Sequence, residues 1–90
     1  MSIKIDVALL AKQYTKGQHI IDVSGSTVGQ CLDDLIKQFP GIKRGLFDGN
    51  GKLSSSIDIY VNGESAYPET LAKPVKDGDK LHIIFLIGGG

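Results

Sequence analysis

The sequence predicts an α+β roll, in which a mixed sheet of four to five strands carries one amphipathic helix packed across it. Two observations lead there. Apolar residues alternate with period two near the start, past the middle and at the end of the chain, whereas Val28 to Phe39 follows helical spacing. The resulting element order is β-β-α-β-β-β, with no internal repeat and no domain boundary. Residues 1–87 therefore read as a single domain and 88–90 as a flexible glycine tail.

Ile3-Lys-Ile-Asp-Val-Ala-Leu9 places Ile3, Ile5, Val7 and Leu9 on one side of a first strand. Tyr14-Thr-Lys-Gly17 supplies turn chemistry, and Gln18 to Val23 follows as a second strand with Ile21 and Val23 on one face. Together they predict an opening hairpin. Thr27 followed three residues later by Gln30 matches a capping box at a helix start. Beyond it Val28, Cys31, Leu32, Leu35, Ile36 and Phe39 recur at steps of three and one, which puts all six on one helical face. Asp33, Asp34, Lys37 and Gln38 take the opposite face, and Pro40-Gly41 ends the helix.

Gly41 to Ser56 reads as a long connection with one short helical turn near Lys43 to Phe47. Ile57-Asp-Ile-Tyr-Val61 alternates again, Asn62-Gly63 is a hairpin turn signal, and a short strand is expected from Glu64 to Ala66. Pro68 to Val75 is a loop with Leu71 as a buried plug, and Lys76-Asp-Gly-Asp79 launches the last strand, Lys80 to Ile87.

Composition narrows the function. Ten Lys and Arg balance ten Asp and Glu, so no net basic charge points to nucleic acid or a membrane surface as partner. No stretch approaches the roughly 18 apolar residues of a membrane span, and Lys4 and Asp6 interrupt any signal-peptide core, which predicts a cytoplasmic protein. The single cysteine, Cys31, has no partner for an internal disulfide and no neighbouring metal-ligand spacing, so no metal site is expected. On the apolar helix face it reads as a buried structural thiol.

Gly51-Lys52 does not make a phosphate loop, because Leu46 and Leu53 stand where that motif needs a glycine and a Ser or Thr. Asp48-Gly-Asn50 begins like a calcium loop, but Lys52 and Leu53 break it and leave a turn. His19 and His82 are tied by spacing to no Ser or Cys nucleophile. No catalysis by this chain alone is expected.

The functional signal is at the end of the sequence, where Lys80-Leu-His-Ile-Ile-Phe-Leu-Ile87 runs directly into Gly88-Gly89-Gly90. Glycine lacks a Cβ, so such a tail can lie extended in a channel too narrow for any side chain and present a carboxylate to another protein's active site. A frayed terminus is the alternative. If Leu81, Ile83, Phe85 and Ile87 face the helix, then His82, Ile84 and Leu86 turn to the other face of the sheet, together with Tyr60 and Ile20. Apolar residues on an open sheet face leading to a flexible tail predict a partner-docking surface. Burial on both faces or homodimerisation would explain the same pattern.

Ser26-Thr-Val-Gly-Gln30, Ile57-Asp-Ile-Tyr-Val-Asn-Gly-Glu64, Val75-Lys-Asp-Gly-Asp-Lys-Leu-His-Ile-Ile84 and the terminal glycines, in that order, resemble the ThiS/MoaD family of ubiquitin-like sulfur carriers. The likeness spans almost the whole chain. It implies the β-grasp fold and an E1-like adenylating enzyme that uses ATP and magnesium to activate the carboxylate of Gly90. It further implies a sulfur donor that converts the adenylate to a thiocarboxylate, and a recipient biosynthetic enzyme. Gly88 and Gly89 would thread the channel and Gly90 would bear the sulfur. The carrier itself would bind no cofactor and be a monomer when free. Candidate destinations are molybdopterin or tungstopterin, thiamine, and cysteine synthesis. A modifier forming isopeptide bonds with lysines and a noncovalent β-grasp module are the alternatives. The chain departs from the family's commonest ending by carrying three glycines, and its segment from Gly41 to Ser56 is longer than in the thiamine-pathway carriers.

Overall fold

The computed structural model describes residues 2–85, apart from the side chains of residues 9, 11 and 12. The predicted tail 88–90 and Leu86 lie outside the described residues.

Eight elements follow in order: β1 (Ile3–Asp6), α1 (Ala8–Tyr14), β2 (Ile20–Val23), α2 (Val28–Gln38), α3 (Lys43–Leu46), β3 (Ile57–Val61), β4 (Glu64–Ser65) and β5 (Lys80–Phe85). The strands form one five-stranded sheet in the order β2-β1-β5-β3-β4. β1 and β5 run parallel, and the other neighbours are antiparallel. The sheet is thus mixed, and the strand nearest the tail lies at its centre, tied on both sides. Among the described residues no helix is long and apolar enough to cross a membrane.

Period two does what the sequence predicts in β1, β3 and β5. Ile3, Ile5, Ile57, Ile59, Val61, Leu81 and Ile83 are buried in one core with Ile21 and Val23 of β2. α2 covers them through Val28, Cys31, Leu32 and Leu35, with Ile36 and Phe39 partly buried beside these. The Thr27 hydroxyl accepts the Gln30 N–H at 3.2 Å, as a capping residue should. The Gln30 side chain reaches back one residue further than the capping box requires, accepting the Ser26 N–H at 2.7 Å.

The predicted first strand from Ile3 to Leu9 is corrected: it stops at Asp6, and Ala8 opens a second helix, α1. Two causes act at the junction. The Asp6 carboxylate accepts the Ala8 N–H at 2.9 Å, satisfying one of the orphan donors of a helix start. The stretch Ala-Leu-Leu-Ala-Lys-Gln is composed of strong helix formers. Val7 is buried in either reading, but it is Leu10, three residues on, that follows it into the core. The opening pair is still antiparallel, β1 with β2. It is joined by α1 and by a turn in which Lys16 and Gly17 have φ of 55° and 86°.

The connection from Gly41 to Ser56 contains the expected helical turn as α3, preceded by a 3₁₀ turn at Pro40–Ile42. Ile42 and Leu46 are fully buried, so this segment is part of the core and not only a loop over it. The Asp48 carboxylate accepts the N–H groups of Asn50 and Lys52 at 2.8 and 3.1 Å, consistent with a turn at Asp48-Gly-Asn50. Leu71 is half-buried rather than fully so, and sits against Gly29 of α2, where an added Cβ would meet the Leu71 carbonyl at 3.1 Å.

Candidate functional site

Alternation along β5 sends Leu81 and Ile83 into the core and leaves His82 and Ile84 on the outer face. Sheet register then sets the predicted docking residues in place. Ile20 opposes Asp6, Asp6 opposes His82, and His82 opposes Tyr60, so these residues of β2, β1, β5 and β3 form one row across the sheet. Residues directly opposite one another project to the same face. Ile84 stands one pleat further toward the tail, opposite Asp58. Ile20, Tyr60, His82 and Ile84 therefore share a face, while Leu86, Gly88, Gly89 and Gly90 lie outside the described residues.

The face is less apolar than alternation in β5 alone suggests. Ile20 and Ile84 are 41% and 36% exposed, but Asp6 separates Ile20 from His82, and Asp58 lies beside Ile84. His82 Nε2 is 3.9 Å from Asp6 Oδ2, an ion pair when the imidazole is protonated and too long for a hydrogen bond. In the next row Lys4 Nζ donates to Asp22 Oδ1 at 2.7 Å, with Lys80 opposite Lys4. The surface is a mosaic of apolar and paired charged groups, suited to a partner that matches both. Asp6 and Asp58 were missing from the sequence reading of this face. Alternation turns both outward as it does Tyr60, but only the strand order sets Asp6 between Ile20 and His82.

A second constellation secures the root of β5. Asp79, buried at 9% exposure, accepts Asn62 Nδ2–H at 3.0 Å through Oδ1 and the Lys76 N–H at 2.9 Å through Oδ2. The Asn62 amide donation is the largest influence holding the Asp79 carboxyl below its ordinary value, followed by the Lys76 N–H, with burial opposing and the Lys76 charge assisting. Asn62 Oδ1 in turn accepts the Lys80 N–H at 2.9 Å. The first residue of β5 is thus fixed to the β3–β4 turn.

Cys31 is fully buried. Burial, then the charges of Asp34 and Asp79, push its thiol above the ordinary value, so the nucleophilic thiolate is disfavoured. Among the described residues no group of three or more His, Cys, Asp and Glu could hold a metal ion. What the arrangement offers chemically is presentation: a rigid central strand, a patterned face, and a sequence that continues from Phe85 toward glycines.

Known proteins match this arrangement closely. Residues 7–90 match the ThiS family. The chain is 32% identical over 93 aligned positions to the sulfur carrier protein CysO of Mycobacterium tuberculosis, with all of both chains covered. It is 34% identical over 71 positions to small archaeal modifier protein 1 of Haloferax volcanii, covering 78% of each. Among solved structures, a chain of the Amycolatopsis orientalis BexX/CysO complex matches with a TM-score of 0.84 at 32% identity, over 98% of this chain and 99% of that one. The curated relatives matched over their full length are named sulfur carrier proteins. With its β-grasp sheet and this full-length likeness, the chain belongs to the ThiS family of sulfur-carrier proteins.

Proposed function

We propose that the chain carries sulfur as a thiocarboxylate on Gly90. The observation that carries this reading is the family match, which runs from residue 7 through residue 90 and so includes the glycines as well as the fold. A carboxylate is a poor electrophile, so the first step supplies a leaving group. An oxygen of the Gly90 carboxylate attacks the α-phosphorus of ATP, pyrophosphate departs, and an acyl adenylate forms. Sulfide released by the donor then attacks the acyl carbon, AMP leaves with the C–O bond electrons, and loss of the S–H proton leaves the thiocarboxylate. ATP and magnesium belong to the E1-like activating enzyme. Gly88 and Gly89 thread its channel, because neither presents a Cβ to the walls.

Docking in this reading uses the outer sheet face, through Ile20, Tyr60, His82, Ile84 and Leu86. The Asn62–Asp79–Lys80 bonds hold β5 in register so that the tail leaves from a fixed point. Delivery requires the tail to be released from one enzyme and offered to the next, so the free carrier is a cytoplasmic monomer. The recipient is a biosynthetic enzyme. The full-length likeness to CysO favours cysteine synthesis among the candidate destinations. That a related carrier has been solved in a complex with BexX supports engagement of a partner protein.

The test is ATP–pyrophosphate exchange by an E1-like enzyme from the same source, measured with and without this chain. Exchange that depends on the chain and is lost when residues 88–90 are removed supports adenylation of the tail. Exchange indifferent to the chain, by an enzyme active on another carrier, refutes it. The likeness to a small archaeal modifier protein favours one second reading, in which Gly90 is joined to lysines of other proteins. Isopeptide-linked adducts carrying this chain, identified by mass spectrometry of cell extracts, would distinguish it.

A further inference from the structure

Two titratable side chains stand at the centre of the outer sheet face and are already half-buried before anything docks. His82 of β5 lies between Asp6 of β1 and Tyr60 of β3, with Ile20 beyond Asp6 and Ile84 next along β5 on the same face. The His82 and Asp6 side chains are 33% and 25% exposed, and His82 Nε2 stands 3.9 Å from Asp6 Oδ2. The two oxygens of the Asp6 carboxylate have different duties. Oδ1 accepts the Ala8 N–H at the start of α1. Oδ2 accepts no hydrogen bond among the described residues, and its one possible ion-pair partner among them is His82.

The other charged groups around His82 are committed elsewhere or stand further off. On β1, Lys4 donates to Asp22 at 2.7 Å. On β3, Asp58 accepts from the Ser65 hydroxyl at 2.7 Å and the Ile59 N–H at 2.9 Å. On β5 itself, Lys80 is two residues back along the strand, about 7 Å by strand rise. On α1, Tyr14 packs at Gly45, and the Lys12 side chain lies outside the described residues. The charge of the central pair therefore follows the imidazole. With a neutral ring Asp6 is a lone carboxylate, and with a protonated ring the pair is neutral overall. Histidine is the side chain that ordinarily changes charge between about pH 5 and 8.

We infer that docking on this face takes up a proton from solvent, bound by His82 and held against Asp6. The inference rests on the function proposed above and adds the regulation of that same face: engagement tightens as pH falls through the neutral range. Desolvation supplies the reason. A partner seated on Ile20, Tyr60 and Ile84 removes water from the two groups between them, and a lone carboxylate taken out of water costs far more than one paired with a cation. Protonation makes both ring nitrogens donors, so that Nε2–H is available to the unbonded Oδ2 as the 3.9 Å gap closes. The competing arrangement is a cation of the partner that pairs with Asp6 in place of His82, and it moves no proton.

The experiment is calorimetric titration of the full chain into the activating enzyme near neutral pH, in buffers of small and large ionisation enthalpy, so that the dependence of heat on buffer counts the protons taken up. The wild type should take up about half a proton or more, and its affinity should rise about fivefold between roughly pH 8 and 6.5. His82→Gln and Asp6→Asn, their folds checked by circular dichroism, should each take up none and lose the pH dependence. The first has no imidazole to charge, and the second has no carboxylate to pair. Asp6→Asn keeps a side-chain oxygen for the Ala8 N–H, and on the alkaline side it should bind at least as tightly as the wild type. A wild type that is adenylated but docks without proton uptake overturns the inference and leaves the proposed function standing. Uptake that persists in His82→Gln assigns the proton to another group and overturns it too, as does uptake that persists in Asp6→Asn. A wild type that is not adenylated, by an enzyme active on another carrier, overturns the proposed function and this inference with it.

Discussion

Asn62 and Asp79, seventeen residues apart, are joined by a 3.0 Å hydrogen bond that ties the β3–β4 turn to the start of the central strand. Asn62 adopts φ of 51° and is followed by Gly63 at 88°, a conformation that Asn tolerates better than most residues. The residue thus makes the turn and holds β5 with the same side chain.

Asn62→Asp keeps the shape and the tolerance of positive φ but replaces the amide donor with a second carboxylate facing Asp79. It should cost about 1–3 kcal/mol at neutral pH. Urea unfolding followed by circular dichroism measures this, and wild-type stability would show that the bond does not hold β5.

The Asp79 carboxyl is held below its ordinary value of 3.8 in the fold. A depressed carboxyl contributes stability that is fully present above its unfolded value and is lost as pH falls through its folded one. The stability gap between the wild type and Asp79→Asn should accordingly hold from neutral pH down to about 4 and narrow below that. A gap independent of pH in the acid range would contradict the assignment.

Leu46 lies in a four-residue helix within a glycine-containing connection, yet it is fully buried. Leu46→Ala should cost about 2–5 kcal/mol, the range for core truncations. A loss within about 0.5 kcal/mol, typical of surface substitutions, would show that the segment is peripheral to the core.

Buried Cys31 should resist thiol reagents in the native protein and react on unfolding. Ellman's reagent with and without urea separates the two states. Rapid native labelling would mean that α2 opens readily or packs elsewhere.

Ile84 tests the outer face. Ile84→Glu at this exposed position should leave the fold intact and raise the KM of the activating enzyme for the carrier about tenfold. An unchanged KM would remove this face from the docking reading.

The parts of the fold legible in sequence were those whose pattern was long and unambiguous. Val28 to Phe39 gave helical spacing with a cap, and Ile57 to Val61 gave strict alternation ending in Asn-Gly. The first helix was hidden because Ala8-Leu9-Leu10-Ala11 is apolar at every position and fits either period, so the decision fell to the Asp6 carboxylate and to helix propensity. Ile42 and Leu46 were hidden by their glycine-containing surroundings. The shared face of Ile20, Tyr60, His82 and Ile84 followed from alternation, but the interposed Asp6 needed the sheet order, which no local pattern carries. The Asn62–Asp79 bond is likewise a product of long-range register.

The central claim is that Gly90 becomes a thiocarboxylate. Intact mass of the chain after incubation with ATP, magnesium, the activating enzyme and a sulfide donor tests it most directly, beside a chain lacking residues 88–90. Removing Gly90 alone would leave another glycine at the terminus, so the longer deletion is the informative control. Replacement of one oxygen by sulfur in the full chain, and no change in the truncated one, is the predicted result. An unchanged mass in the full chain, with an enzyme shown active on another carrier, would contradict the account.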